Sequence, residues 1–194
     1  MRVALLNAHT SYAVGASETL GGVVYSEYKL SSRINKELQN KLLNTGNDAY
    51  IVDGSSEKPY SRSLRYKASF VNMTGADIAI ETHFNSAFSL ALAKHSSGLE
   101  VLYSDKKEGN KALAEKMVEG LSAYLPFKLR RGGTGLYVRN KLYILTNIDC
   151  PTIINEICFL SHPIDRLYLL HPNSTRVIAN AILNGISKYQ SVSN

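Results

Sequence analysis

Apolar and polar positions follow two different rhythms along the chain. Short apolar runs at Arg2–Asn7, Ala49–Val52, Asp77–Thr82, Gly98–Tyr103, Leu142–Leu145 and Thr152–Leu160 predict strands, the first of them buried. Between these runs the rhythm changes to that of a helix. Leu30, Ile34, Leu38 and Leu42 recur every four residues after Glu27, which places them on one helical face. Asn44-Thr45-Gly46 ends that segment. Ser61–Thr74 and Gly109–Leu125 also have a helical pattern, and Ser174 can cap a last helix with Val177, Ile178, Ala181, Ile182 and Ile186 facing inward. Thr10–Gly22, rich in Gly, Ser and Thr, reads as a loop. Strands alternating with helices predict an α/β fold with a twisted, mostly parallel or mixed central sheet flanked by helices. No repeat or linker divides the chain, so one domain over residues 1–194 is expected. Ligands of such sheets gather beyond the carboxyl ends of the strands, and His9, His83 and the region after Glu156 lie there.

Composition narrows the class. With 194 residues, 44% hydrophobic and 20% charged, the chain can bury a substantial core. No apolar run approaches a membrane span, so no membrane insertion is expected. The N-terminal apolar stretch is too short for a signal sequence, which predicts synthesis in the cytoplasm without a secretion signal. The formal net charge of +6 favours contact with anionic polymers. No interleaving of aromatic and basic residues stands out, so nucleic acid is not an expected partner. Cys150 and Cys158 are too few for a disulfide framework, and with His162 they match no common zinc spacing, so both read as packing residues.

Catalytic zinc takes three protein ligands and leaves a position open. His9, Glu27 and His83 can supply such a set, with Glu18 as a rival carboxylate. Taken singly, each histidine also reads as a surface or cap residue, and Glu27 as a carboxylate favoured by a helix N-terminus. Glu156 lies in the otherwise apolar run Thr152–Leu160, and a carboxylate there needs a partner or a task. A metal site and a structural ion pair both satisfy that need. Glu81 shares a strand face with His83 and can orient it. Glu100 is a weaker candidate of the same kind. His95 and His162 can contact a substrate but also read as loop and strand-end residues; His171, before Pro172, reads as a turn residue. Arg130, Arg131, Arg139 and Lys141 form a basic cluster, either a contact for an anionic polymer or a solvated face.

Five ordered blocks together resemble the zinc-dependent N-acetylmuramoyl-L-alanine amidases of type 3, particularly phage endolysin domains. They are Leu6-Asn7-Ala8-His9, then Val24-Tyr25-Ser26-Glu27-Tyr28, then the strand ending His83-Phe84-Asn85. Gly98–Tyr103 follows, and last Leu142–Leu145 with Pro151 and Asn155-Glu156-Ile157-Cys158-Phe159-Leu160-Ser161. The resemblance implies one zinc held by His9, Glu27 and His83, with peptidoglycan as the substrate. Glu156 would be the general base that takes a proton from the attacking water and returns it to the leaving amine of L-alanine. Asn85, in the third block, joins Glu81, Glu100 and Lys141 as candidates for supporting or substrate-facing residues. The resemblance also implies action on the cell wall after holin-type release. Two rivals remain: a zinc peptidase acting within the stem, and a wall-binding module without catalysis. The chain departs from the family at Ala8-His9-Thr10, where Gly-His-Gly is usual, at Asp53-Gly54, where Thr-Arg is common, and at Lys67, where an arginine is usual.

Overall fold

The computed structural model describes residues 1–87 and 89–193. Its core is a six-stranded sheet of order β4-β1-β5-β8-β6-β7, formed by β1 (Arg2–Asn7), β4 (Asp48–Val52), β5 (Ile78–Asn85), β6 (Glu100–Tyr103), β7 (Leu136–Val138) and β8 (Thr152–Phe159). All neighbours are parallel except β6 and β8, so the sheet is mixed. Helices cover both faces, which explains the unbroken apolar runs. Val3 and Leu5 point to one face and meet α1 (Glu27–Asn44), α4 (Asn110–Tyr124) and α7 (Ser174–Ser193). Ala4 and Leu6 point to the other and meet α2 (Tyr60–Thr74) and α5 (Tyr143–Asn147).

The helical stripe of α1 is buried as its period demands, at Leu30, Ile34, Leu38 and Leu42. Ser26 caps the helix by accepting from the Lys29 amide, which fixes Glu27 as its first residue. The structure corrects several expectations. Leu142–Leu145 is not a strand: α5 occupies Tyr143–Asn147, and the Thr146 and Asn147 side chains bond back to the Leu142 and Tyr143 carbonyls. A four-residue apolar run carries no period that separates strand from helix. The expected loop Thr10–Gly22 contains β2 (Ser17–Leu20), which pairs antiparallel with β3 (Val23–Ser26). Its two-residue turn, Gly21-Gly22, has positive φ at both positions. The strand β5 runs on past Thr82 through His83 to Asn85, because β8 keeps pairing with it across a register shift. Two further short helices are present, α3 (Leu90–Ala93) and α6 (Pro163–Leu170). No helix among the described residues is long and apolar enough to cross a membrane.

Gly120 of α4 faces Gly185 of α7 at very close range. A Cβ on Gly120 would lie 2.3 Å from the Gly185 nitrogen and 2.5 Å from its Cα. Glycine in a helix interior usually costs stability relative to alanine, but here backbone approach reverses the sign. Gly120→Ala is expected to destabilise by about 1–3 kcal/mol, read as a lower denaturant midpoint at unchanged slope. A stabilising Gly120→Ala would contradict this packing.

Candidate metal centre and active site

The sheet topology brings distant residues to one edge. His9 follows the carboxyl end of β1, His83 lies near that of β5, and Glu156 lies in the second half of β8. Because β6 runs antiparallel to β8, its first residue, Glu100, reaches the same edge and pairs in register with Glu156, which pairs on its other side with His83. The β2–β3 hairpin then delivers Glu27. The Glu27 amide donates to the Ala16 carbonyl, and the Ala16 amide donates back to Glu27 Oε1 at 2.8 Å.

Glu27 stands between the two histidines. Its Oε1 lies 3.3 Å from His9 Nε2 and its Oε2 3.0 Å from His83 Nδ1. The Phe84 amide also donates to Oε2. One ligand atom from each of His9, Glu27 and His83 falls within 4.8 Å of the others. Two imidazoles and a carboxylate are the donor set of a divalent transition-metal site. His9 itself adopts a left-handed φ of 60°. Gly15 keeps the space beside it clear: a Cβ there would meet His9 Nε2 at 2.5 Å and Glu27 Oε1 at 2.8 Å. Burial opposes ionisation of Glu27, yet the two imidazoles outweigh it and hold the carboxyl well below the usual carboxylate range.

The other edge of His83 meets Glu81. His83 Nε2 lies 3.2 Å from Glu81 Oε2. Glu81 Oε1 in turn accepts from Lys67 Nζ at 2.9 Å. Lys67 is fully buried, and its remaining protons go to the carbonyls of Asn7 and His9. Burial alone would raise Glu81, but Lys67 and then His83 bring its carboxyl down to about 2. Desolvation works against the His83 imidazolium, but Glu81 and Glu27 hold its pKa well above the ordinary imidazole value.

Glu100, also buried, accepts from Asn85 Nδ2 at 2.9 Å and from Arg131 Nε at 2.6 Å, with Arg130 Nε at 3.3 Å. Glu156 differs from these carboxylates. Its Oε2 is buried and has no hydrogen-bond partner among the described residues. Burial pushes its carboxyl up to about 8, with His83 opposing and Glu27, Glu100 and Glu81 adding to the rise.

Glu156 lines two clefts. One, about 230 Å³, is walled by Tyr60, Leu102, Tyr143 and Ile144 as well as His83. The other, about 350 Å³, is walled by Arg130, Arg131, Tyr137 and Arg139. Sequence reasoning missed Tyr60, which stacks on His9 with ring centroids 5.9 Å apart, and Gly15. Neither carries a local signal, since both depend on what the fold sets beside them. Of the other expected residues, Lys141 is exposed in the turn before α5 and lines neither cleft. Glu18 points to Arg166, 3.1 Å away on α6, rather than to the histidines. His162 caps α6 and meets Asp165, His171 ends α6, and exposed His95 lines a separate cavity. Cys158 is buried in the core, and both cysteines are free.

The family model for N-acetylmuramoyl-L-alanine amidase (Amidase_3) matches residues 3–188. The chain belongs to this amidase family. A germination-specific N-acetylmuramoyl-L-alanine amidase of Bacillus subtilis is 27% identical over 140 residues, covering 68% of this chain and 54% of the relative. The chain thus matches about half the length of that curated relative. Among solved structures, the CwlD amidase of Clostridioides difficile, in complex with the GerS lipoprotein, has a TM-score of 0.86 at 22% identity and 98% coverage of both chains. An N-acetylmuramoyl-L-alanine amidase from Clostridium difficile 630 has a TM-score of 0.82 at 23% identity, covering 100% of this chain and 98% of that one. The catalytic domain of an endolysin targeting Clostridia difficile has a TM-score of 0.78 at 19% identity, covering 97% of each. Germination and endolysin proteins both appear, so family membership stands without a particular biological role.

The isolated carboxyl of Glu156 gives a stability prediction. Its pKa is about 8 in the fold and near 4.5 when unfolded, so ionising it opposes folding. The cost is absent below pH 4.5, grows between pH 4.5 and 8, and is complete above pH 8. In metal-free protein, Glu156→Gln is expected to be stabilising by on the order of a few kcal/mol above pH 8 and by little at pH 4. Urea melts across that range check it, and a gain that does not grow with pH would refute it.

Proposed function

We propose that the chain hydrolyses the amide bond between N-acetylmuramic acid and L-alanine in peptidoglycan, with a zinc ion held by His9, Glu27 and His83. The observation that carries this reading is the pairing of that triad with Glu156, a half-buried residue on the same sheet edge whose buried Oε2 has no hydrogen-bond partner among the described residues. The donors suit the ion: the three ligand atoms lie within 4.8 Å of one another, and glycine at position 15 leaves the space between them free. Bound there, zinc would supply Lewis acidity to the amide carbonyl and to water.

The chain's own residues do the rest. Glu156 is poised to carry a proton near neutral pH, because burial raises its affinity for one. It takes the proton from the attacking water and passes it to the departing nitrogen of L-alanine. Glu81, fixed by Lys67, holds the His83 ring by its Nε2 side and leaves Nδ1 facing Glu27. Tyr60 packs on the His9 ring and restricts its rotation. Glu100, which accepts from Asn85 beside Glu156, adds negative charge that favours the protonated form of Glu156. Anionic wall polymers remain a candidate partner through the positive net charge of +6.

Digestion of purified peptidoglycan tests the reaction. The expected product is an intact stem peptide with a new N-terminal alanine, detected by end-group labelling and mass spectrometry. Glu156→Gln is expected to keep its zinc and lose kcat by roughly 10²–10⁴-fold. New termini inside the stem would assign the chain to peptidases instead. A Glu156→Gln variant with near wild-type turnover would remove Glu156 from the reaction.

A further inference from the structure

We propose that the arginine-lined cleft beside Glu156 is a carboxylate subsite, in which Arg139 binds a free carboxyl group of the stem peptide. This rests on the amide-hydrolysis reading above and names which half of the substrate occupies which side of Glu156.

The charges in this cleft do not cancel. Glu100 is shared by Arg131, Arg130 and Asn85, so its two oxygens are committed. Arg130 is further tied to the Ser97 carbonyl and packs its guanidinium 4.6 Å from the Phe159 ring centroid. Arg139 has no such engagement. It is half-buried and has no ion pair with a carboxylate among the described residues. Its backbone amide is pinned to the Tyr103 carbonyl at 2.8 Å. Its guanidinium lies 5.2 Å from the Tyr137 ring centroid, and that of Arg131 lies 3.4 Å from the same ring. Tyr137 thus orders two guanidinium groups at the cleft wall. A guanidinium presents a rigid fork of donors that matches a carboxylate with two parallel bonds. The half-buried guanidinium of Arg139, with no carboxylate paired to it among the described residues, is available to an incoming anion.

The opposite cleft has another character. Tyr60, Tyr143, Leu102 and Ile144 make it aromatic and apolar, and no lysine or arginine lines it. Glu156 lines both clefts, so a substrate cut there lays one half in each. The muramic carboxyl is consumed in the scissile amide, whereas the stem peptide retains free carboxyl groups. The cationic cleft therefore suits the peptide half.

The test uses the zinc-loaded enzyme and two synthetic muramoyl dipeptides whose second residue is glutamic acid with its side-chain carboxyl capped as an amide, the α-carboxyl being free in one and a carboxamide in the other. The wild type is expected to favour the free acid by roughly tenfold to a hundredfold in kcat/KM, mainly through KM. Arg139→Gln is expected to bring that ratio close to one, and Arg139→Lys to restore part of it, since charge returns without the fork. Melting temperatures near wild type show that both variants are folded. An absence of preference in the wild type, or a preference unchanged in Arg139→Gln, overturns the subsite. So does inhibition by polyphosphate that requires Arg139 without any preference between the dipeptides, which would assign the cleft to a phosphate polymer. Cleavage of neither dipeptide, nor of whole peptidoglycan, instead overturns the amidase reading itself.

Discussion

The buried ammonium of Lys67 ties together the elements that form the site. It has three protons, and each finds an acceptor: the carbonyls of Asn7 and His9 and the carboxylate of Glu81. These partners sit at the end of β1, on the residue that turns away from it, and on β5. One side chain from α2 therefore fixes the separation of the two histidine-bearing strands. A buried ion pair is a poor source of net stability, because desolvation offsets most of the attraction. Its value here is geometric. Removing Lys67 or Glu81 would leave the other's buried charge undercompensated, while keeping both holds Glu81 against His83.

The carboxylates of the site differ chiefly in who neutralises them. Lys67 serves Glu81, two imidazoles serve Glu27, and two guanidinium groups serve Glu100. Glu156 has no such partner, and its burial among the others raises its affinity for a proton. Negative charge is concentrated where a cation can be held, and a single proton carrier is left beside it. The same division extends outward, with an aromatic cleft on one side of Glu156 and a cationic cleft on the other.

Much of this was legible in the sequence, and the gaps have physical causes. The α1 stripe at Leu30, Ile34, Leu38 and Leu42 fixes that helix because its period is long and unbroken. His9, Glu27 and His83 stand beside strand ends and a helix start, where each alone also reads as a cap or surface residue; the family resemblance singled them out, and the structure sets them within reach of one another. The run Leu142–Leu145 misled because four apolar residues fit a strand as well as a helix. The hairpin hid behind Gly21-Gly22, which reads equally as a loop or as a tight turn. Arg130, Arg131 and Arg139 looked like a surface cluster, since sequence cannot show that Glu100 and Tyr137 draw them into a cleft. Tyr60 and Gly15 act only through contacts made across the fold.

The claim at the centre is that Glu27 and its two histidines form one zinc site. Calorimetric titration of chelator-stripped protein with zinc at pH 7 measures it directly. The expected result is one zinc per chain, with protons released as the His83 imidazolium gives way to the ion. In Glu27→Ala, whose site keeps only the two imidazoles, affinity should fall by more than about a hundredfold. No saturable binding by the wild type, or equal binding by Glu27→Ala, would contradict the site.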